Sequence, residues 1–180
     1  MEIDVSSAKK KEAHIVDNLL QLYLHDFSEF EPDEIGDDGR FEYLYLQHYW
    51  EDPDRYPFLF RVDGNLAGFA LLRFEADPLT GRQIMDMAEF FVMRRYRDKG
   101  VGEQAAVRLW DLFPGQWQVR VLKSNEHALG FWRHIIAKYT NDVFAERRGE
   151  GALSNAIEFT FASRADTDMP EDPGMDAFDY

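Results

Sequence analysis

Two apolar runs on either side of a tight-turn signal constrain the fold of this chain more than any other feature. The stretch FLFRVDGNLAGFALLRF places Asp63, Gly64 and Asn65 between the runs, and Gly and Asn tolerate the positive φ angles of a two-residue hairpin turn. The sequence therefore predicts a β-hairpin of residues 58–62 with residues 66–74. A third apolar run, residues 83–93, follows the turn signal ADPLTGR, so the middle of the chain is predicted to be an antiparallel meander.

The hydrophobic period changes after residue 100. Val101, Ala105 and Leu109 are spaced as one face of a helix, which the Pro114-Gly115 pair ends. Residues 117–122 then alternate as a strand does, and Asn125 is a candidate N-cap for a further helix. Strand, helix, strand and helix in this order predict a parallel crossover. The predicted fold class is therefore α+β with a mixed sheet.

The two ends of the chain supply further elements. Apolar residues at spacings of three and four predict a helix from about Ala8 to about His25. With a second predicted helix, the total is about four helices. The remaining predicted elements are a first strand over residues 3–5, the second helix over residues 41–50, and closing strands over residues 139–147 and 156–162.

Composition limits the class of protein. The chain has 180 residues, 45% of them hydrophobic, and we predict one domain over residues 1–163 and an acidic, mobile tail over residues 164–180. The formal net charge of -14 disfavours general binding to nucleic acid. There is no cysteine, and no apolar run approaches the roughly 20 residues that span a bilayer. The sequence therefore predicts a soluble, cytoplasmic protein with no membrane partner.

A basic segment directly precedes two glycines. Within RRYRDKGVG, residues 94–102, Arg97, Gly100 and Gly102 form the pattern R-x-x-G-x-G between a predicted strand and a predicted helix. A helix N-terminus offers free N–H groups and partial positive charge, and glycine lets an anion approach the backbone. The sequence lacks the motifs of a P-loop and of a dinucleotide-binding turn. The segment therefore predicts another kind of phosphate-binding turn.

Two segments together resemble the GNAT superfamily of acyl-CoA-dependent N-acyltransferases. FFVMRRYRDKGVG resembles the pyrophosphate-binding segment of that family. SNEHALGFW resembles its N-x-x-A-x-x-F-Y signature through Asn125, Ala128 and Phe131. The resemblance covers about residues 58–161 and looks closest to small bacterial predicted acetyltransferases of unknown substrate.

The resemblance implies a mixed sheet that splays between its fourth and fifth strands and holds acetyl-CoA, as a cosubstrate, in the gap. The backbone after the fourth strand is expected to bind the pantetheine arm, and the glycine turn is expected to bind the pyrophosphate. In any other fold the apolar members of this set would be core residues and Asn125 only a cap. The predicted cofactor-binding residues are Phe91, Val92, Met93, Arg97, Lys99, Gly100, Val101, Gly102, Asn125 and Phe131.

The implied reaction is direct attack of a neutral amine on the thioester, for which a base must take a proton from the incoming ammonium. Asp86 and Glu89 are the candidates, because carboxylates in a stretch as apolar as IMDMAEFFVM are costly unless they are paired or functional. Strict strand alternation puts the two on opposite faces, whereas a β-bulge would reset that phase. Glu89 is the preferred base because it lies nearer the thioester end, and a salt bridge is the alternative for both.

The predicted acceptor is the primary amine of a small molecule, and the acidic residues after the first helix would favour a cationic one. The histidines show no metal-binding spacing, so no metal is predicted, and the sequence leaves monomer and homodimer open. The candidate substrate-binding residues are Asp26, Ser28, Glu29, Tyr43 and Tyr45.

Trp132 departs from the resemblance, because the family signature has a tyrosine at that position. An indole N–H cannot act as the general acid for a thiolate, so the thiolate leaves unprotonated or another group, such as Tyr96 or Tyr139, supplies the proton. A non-catalytic acyl-CoA-binding or interaction module on the same fold is therefore an alternative to an enzyme. A protein that acts on a partner through its acidic tail is a third reading.

Overall fold

The turn at Asp63 and Gly64 joins two strands, as predicted. These residues have positive φ angles of 48° and 79°, and the strands on either side pair antiparallel. The computed structural model describes residues 1–76 and 81–163. The strands are β1 (Ile3–Ser7), β2 (Arg55–Val62), β3 (Asn65–Ala76), β4 (Gln83–Val92), β5 (Gln116–Leu122), β6 (Ala145–Arg148) and β7 (Ala156–Ala162), and the α-helices are α1 (Ala13–Phe27), α2 (Val101–Leu112) and α3 (Glu126–Thr140).

One sheet contains all seven strands of the described ranges, in the order β1-β2-β3-β4-β5-β7-β6. The pair β4 and β5 is parallel, and the other neighbours are antiparallel. The parallel pair follows from the crossover through α2. The predicted mixed α+β sheet is therefore confirmed, with three α-helices in the described part of the chain.

Residues 41–46 are not helical, contrary to the prediction, and only a 3₁₀ helix, Gln47–Trp50, forms in this region. The side chain of Gln21 holds the peptide group of Phe41: its Nε2 donates to the Phe41 carbonyl at 3.1 Å, and its Oε1 accepts from the Phe41 N–H at 2.8 Å. These bonds replace helical ones and fix the segment against α1. The apolar spacing instead serves to bury Tyr49 in the core on that side of the sheet.

Two other boundaries differ from the predictions. Helix α1 begins at Ala13 rather than near Ala8, after a 3₁₀ helix over Lys10–Glu12. The strand predicted from residue 139 begins at Ala145, because α3 continues to Thr140 and ends where Asn141 takes a left-handed φ of 52°. A left-handed residue after the last turn is a common way to end a helix.

The two faces of the sheet carry separate hydrophobic cores. Helices α2 and α3 pack on one face around Trp110 and Trp117. Helix α1 packs on the other face, around a core that includes Leu20, Phe69 and Phe91. The alternation of strand side chains between the two faces accounts for this division.

A β-bulge interrupts β4. Leu71 of β3 pairs with Glu89, and the next residue, Leu72, pairs with Met87, so Ala88 is an extra residue in the ladder. Asp86 and Glu89 consequently lie on the same face, the one that carries α1. The bulge that the sequence analysis considered is present, and strict alternation does not apply.

The sheet opens directly beside this bulge. Parallel pairing of β4 with β5 joins Met85 to Trp117, Asp86 to Gln118 and Met87 to Val119. Beyond that last pair the two strands part. The predicted gap between the fourth and fifth strands is confirmed.

The remaining expectations about the chain ends stay predictions. The acidic tail, residues 164–180, and residues 77–80 of the predicted turn before β4 lie outside the described residues. The boundary of the domain at residue 163 is not tested. No helix within residues 1–76 and 81–163 is long and apolar enough to cross a membrane.

Candidate functional site

A cavity of about 450 Å³ lies where the end of β4 meets the N-terminal ends of α2 and α3 and the C-terminal end of α1. We call it the larger cavity. The glycine turn contributes Gly100 and Gly102 to its wall, α3 contributes Asn125 and Phe131, and α1 contributes Tyr23. The sequence pattern had pointed to all of these positions except Tyr23.

The two glycines of the turn have different structural roles. Gly100 has a φ of 76° directly before α2, a conformation that disfavours residues with a Cβ atom. A Cβ atom on Gly102 would lie 3.0 Å from Cζ of Phe131, so this glycine allows α3 to approach α2. The N–H groups of the first turn of α2 have no partner within the helix. This end of the cavity is therefore suited to an anion.

Arg94 and Arg97 line the larger cavity, and both bind Asp26 at the end of α1. Nη2 of Arg94 lies 2.6 Å from Oδ1 of Asp26, and Nη2 of Arg97 lies 2.6 Å from Oδ2. Burial opposes ionisation of Asp26, but the two guanidinium groups outweigh it and lower its pKa. Lys99 instead donates to the carbonyl of Arg95. The basic segment thus directs two of its four cations into the cavity.

The backbone at the end of β4 is partly engaged within the protein. Nε of Arg97 donates to the Val92 carbonyl at 2.8 Å. The Met93 N–H donates to the Ala67 carbonyl, and the Met93 carbonyl accepts from the Tyr96 N–H, each at 2.8 Å. Phe91 and Val92 line the larger cavity. Both backbone groups of Met93 thus have partners within the protein, and its contact with the pantetheine arm stays a prediction.

Val101 also differs from the other predicted cofactor residues. Its side chain is fully buried in the core beneath α2, so only its backbone can face an anion.

Asn125 accepts a hydrogen bond from the Ala128 N–H at 3.0 Å, which makes it the N-cap of α3 as well as a wall residue of the larger cavity. Capping holds the start of α3 in place beside the cavity.

A second cavity, of about 380 Å³, lies on the α1 face of β4. We call it the smaller cavity. Its wall includes Tyr43, Tyr45, Arg73 and Glu89. Glu89 lines this cavity and interacts with Tyr23, which lines the larger one, so one side-chain contact links the walls of the two cavities.

Glu89 is half-buried and receives hydrogen bonds from two tyrosines. The Tyr43 hydroxyl donates to its Oε1 at 3.0 Å, and the Tyr23 hydroxyl is a second donor. Burial raises the pKa of Glu89, and the two hydrogen bonds offset part of that rise. A carboxyl group whose pKa is raised toward neutrality is a more effective general base than an exposed one.

Asp86 has a different environment, although it shares the face of Glu89. Its side chain is fully buried, and its Oδ2 accepts hydrogen bonds from Arg73 at 2.9 Å and Arg120 at 2.6 Å. Burial raises its pKa, and the two guanidinium groups oppose that rise. Arg73 also pairs with Glu75 at 2.6 Å. Asp86 thus belongs to an ion-pair network between β3, β4 and β5, the alternative that the sequence analysis left open.

The predicted acceptor residues separate into three places. Tyr43 and Tyr45 line the smaller cavity beside Glu89, whereas Asp26 and Glu29 line the larger one. The Ser28 hydroxyl donates to the His25 carbonyl at 2.8 Å and closes the last turn of α1.

Arg73, Arg94 and Tyr23 are wall residues that the sequence analysis did not single out as site residues. Arg73 is one residue beyond an apolar run, which gave no signal of a cavity.

Trp132 packs its indole among other aromatic rings. Its ring centroid lies 5.0 Å from those of Phe90 and Phe131, and its side chain is almost fully buried. The Tyr139 hydroxyl donates to Asp111 at 2.7 Å, away from the cavity wall. Of the described residues that line the larger cavity, Tyr23 is the one whose side chain carries a hydroxyl group.

The chain matches a known protein family. Residues 16–135 match the model of the acetyltransferase (GNAT) family. No curated protein matches at a significant level. Within the described ranges no group of three or more His, Asp or Glu side chains is arranged to hold a metal ion.

Solved structures share the fold. An acetyltransferase from Thermus thermophilus is 15% identical, with 90% of this chain and 97% of that chain covered and a TM-score of 0.65. An aminoglycoside acetyltransferase from an uncultured soil metagenomic sample is 15% identical over 83% and 93%, with a TM-score of 0.61. The PaiA N-acetyltransferase from Thermoplasma acidophilum, in complex with coenzyme A, is 10% identical over 90% and 99%, with a TM-score of 0.59.

Proposed function

Because this chain belongs to the acetyltransferase (GNAT) family, we propose that it transfers the acetyl group of acetyl-CoA to the primary amine of a small molecule by direct attack. The observation that carries the proposal is the position of Glu89. This carboxylate lines the smaller cavity, and it interacts with Tyr23, which lines the larger one together with Phe91 of the same sheet face. An amine in the smaller cavity and a thioester at the end of the larger one would therefore meet beside a base.

The residues of the larger cavity fit acetyl-CoA. The first turn of α2 offers backbone N–H groups to a diphosphate, and Arg94 and Arg97 supply positive charge on the same wall. The gap between β4 and β5 leaves room for an extended arm beside backbone groups that no strand pairs with. Acetyl-CoA would supply the activated acyl group.

Glu89 accepts the proton that the amine must lose. The amine arrives as an ammonium ion and attacks only when neutral, and the raised pKa of Glu89 suits it to that transfer. The hydrogen bond from Tyr43 holds the carboxylate in place. The unpaired edge of β4 provides N–H groups that can stabilise negative charge on the carbonyl oxygen as the amine attacks. The C–S bond of the thioester would break as the C–N bond forms, and the second proton of the attacking nitrogen would pass to the departing thiolate.

The smaller cavity favours a small cationic amine. Its volume of about 380 Å³ suits a small molecule. Glu42 and Glu89 contribute carboxylates to its wall, and the charge of Arg73 is offset by Asp86 and Glu75. The rings of Tyr43 and Tyr45 stand perpendicular at 6.3 Å and provide aromatic surface for a cation.

The direct test is release of free thiol from acetyl-CoA in the presence of different amines. Polyamines, amino sugars, amino acids and peptides with free N-termini cover the main acceptor classes. We expect thiol release that depends on at least one of the small amines and is lost in Glu89→Gln. Unchanged turnover at neutral pH in Glu89→Gln would remove Glu89 from the mechanism.

A non-catalytic acyl-CoA-binding module is the second candidate function. Trp132 favours it, because this side chain lines the larger cavity without a hydroxyl group to protonate a thiolate. This function predicts that acetyl-CoA stabilises the protein against heat while no amine causes release of thiol. The same two measurements therefore separate the candidates.

A further inference from the structure

Asp26 forms ion pairs with Arg94 and Arg97, the two cationic side chains on the described wall of the larger cavity. Its two carboxylate oxygens each bind one guanidinium group, of Arg94 and of Arg97, at 2.6 Å. Arg97 is also fixed by its bond to the Val92 carbonyl and by the ring of Phe91, whose centroid lies 5.7 Å from its Cζ atom. The carboxylate of Asp26 is therefore bound to the same two guanidinium groups that a diphosphate in this cavity would contact.

The other charged residues described on the cavity wall add no positive charge to replace that of the paired arginines. Three further carboxylates, of Glu29, Asp98 and Glu103, line the same cavity. Among its described Asp, Glu, Lys and Arg side chains, the wall thus has four acids and two bases. A diphosphate entering while Asp26 keeps both arginines would meet net negative charge, which opposes binding.

We propose that Asp26 is an exchangeable ligand of this anion site, which the diphosphate of acetyl-CoA displaces from Arg94 and Arg97 on binding. The inference rests on the proposed function, because it takes acetyl-CoA as the occupant of the larger cavity. Asp26 lowers the affinity for the cofactor by competing with it. It also keeps the two cations paired while the site is empty.

The displacement would reach the acceptor side through α1. Asp26 lies in the last turn of this helix. One turn earlier Tyr23 contacts Glu89, and Gln21 holds the peptide of Phe41 at the start of the segment that carries Tyr43. One helix thus connects the anion site with the wall of the smaller cavity.

The test compares Asp26→Asn with Asp17→Asn. Asp17 lies on the same helix and pairs with Arg40 at 2.7 Å, so its variant also loses one ion pair of α1 but leaves the cavity unchanged. Binding of coenzyme A is measured by calorimetry at low and at high salt, and the melting temperature of each protein is measured without ligand. KM for acetyl-CoA and kcat are measured with the best amine.

We expect Asp26→Asn to bind coenzyme A about fivefold more tightly at low salt, because a surface ion pair is worth up to about 1 kcal/mol. KM for acetyl-CoA falls by a similar factor. The gain shrinks at high salt, and the melting temperature without ligand falls. Asp17→Asn lowers the melting temperature as well and leaves the affinity for coenzyme A unchanged.

Equal or weaker binding in Asp26→Asn would overturn the inference, since Asp26 would then leave the arginines unaffected or would position them for the diphosphate. Asp26→Ala serves as a second variant, with the same expected direction. A wild-type protein that does not bind coenzyme A would overturn the proposed function together with this inference. Binding by the wild type without a gain in the variants would overturn the inference alone.

Discussion

The Tyr43 hydroxyl donates a hydrogen bond of 3.0 Å to Oε1 of Glu89. This contact joins the segment after α1 to the middle of the sheet, and both residues line the smaller cavity. Replacement of Glu89 by Gln keeps the shape of the side chain and removes its ability to accept a proton. We expect kcat to fall about 10²- to 10⁴-fold, the usual contribution of a general base, as measured by thiol release at pH 7.

The control for this variant is Glu51→Gln. Glu51 is an exposed carboxylate at the end of the 3₁₀ helix Gln47–Trp50, and its replacement removes the same charge from the surface. We expect kcat of this control to match the wild type. An equal loss in both variants would show that net charge, rather than a base in the cavity, sets the rate.

Removal of the Tyr43 hydroxyl should move the pH dependence of the reaction. Burial raises the pKa of Glu89, and the hydrogen bonds from Tyr23 and Tyr43 lower it, so Tyr43→Phe raises the pKa further. The base must be ionised, so the acidic limb of the kcat/KM profile moves to higher pH. Tyr45→Phe, which changes a hydroxyl on the same wall, is the comparison. A limb that stays in place or moves to lower pH in Tyr43→Phe contradicts the assignment.

The ionised carboxylate of Glu89 should also lower the free energy of unfolding at neutral pH. A carboxyl group with a folded-state pKa above its unfolded value binds more protons when folded, so its contribution to stability declines as pH rises through the interval between the two values. Above that interval Glu89→Gln removes the cost, and we expect a higher melting temperature at pH 7 than for the wild type. The difference should diminish below the unfolded pKa of Glu89. A melting temperature that is lower at pH 7 would contradict the prediction.

Asp86→Asn should lower stability. Unlike Glu89, to which no guanidinium group of the described residues is bonded, Asp86 is fully buried and bonded to the guanidinium groups of Arg73 and Arg120. Its loss leaves the two arginines with only the partly exposed carboxylate of Glu75. Breaking such a buried pair typically costs about 3 kcal/mol, as measured by urea denaturation. Glu146→Gln, which breaks the exposed pair with Arg133, is the control, with an expected cost below about 1 kcal/mol. Equal costs in the two variants would contradict the buried network.

Gly100→Ala tests the turn before α2. The φ of 76° at Gly100 costs a residue with a Cβ atom about 1 kcal/mol, and a shifted turn misplaces the N–H groups that would bind a diphosphate. We expect lower stability and weaker binding of coenzyme A. Gly130→Ala is the control, because Gly130 lies within α3 and its Cβ atom would meet nothing within 4 Å. This control should gain up to about 1 kcal/mol of stability.

Features that short stretches encode were predictable from the sequence. The Asp63-Gly64 turn fixes the hairpin through local backbone preferences, and the glycine turn before α2 is a local pattern as well. The alternating strands and the crossover gave the mixed sheet. These features depend on residues that are neighbours in the chain, so the sequence displays them directly.

Features that depend on distant partners were not predictable. Gln21 prevents a helix at Phe41 by bonding its peptide group from 20 residues away. Asp26 pairs with Arg94 and Arg97, which are 68 and 71 residues further along the chain, and its expected contact with a substrate stays a prediction. The shared face of Asp86 and Glu89 required knowledge of the bulge. Pattern alone could name these residues but not their partners.

The Ala88 bulge also bears on how this sheet would respond to a change in strand length. Removal of Ala88 would leave Asp86 and Glu89 on the same face, because the bulged residue is the one that the ladder with β3 skips. It would also remove the irregularity that lies next to the last pair between β4 and β5. We expect the two strands then to continue their pairing and to close the gap. We therefore expect a single-residue deletion to preserve the fold and to narrow the groove, because the extra backbone residue of the bulge, not its side chain, interrupts the regular course of β4.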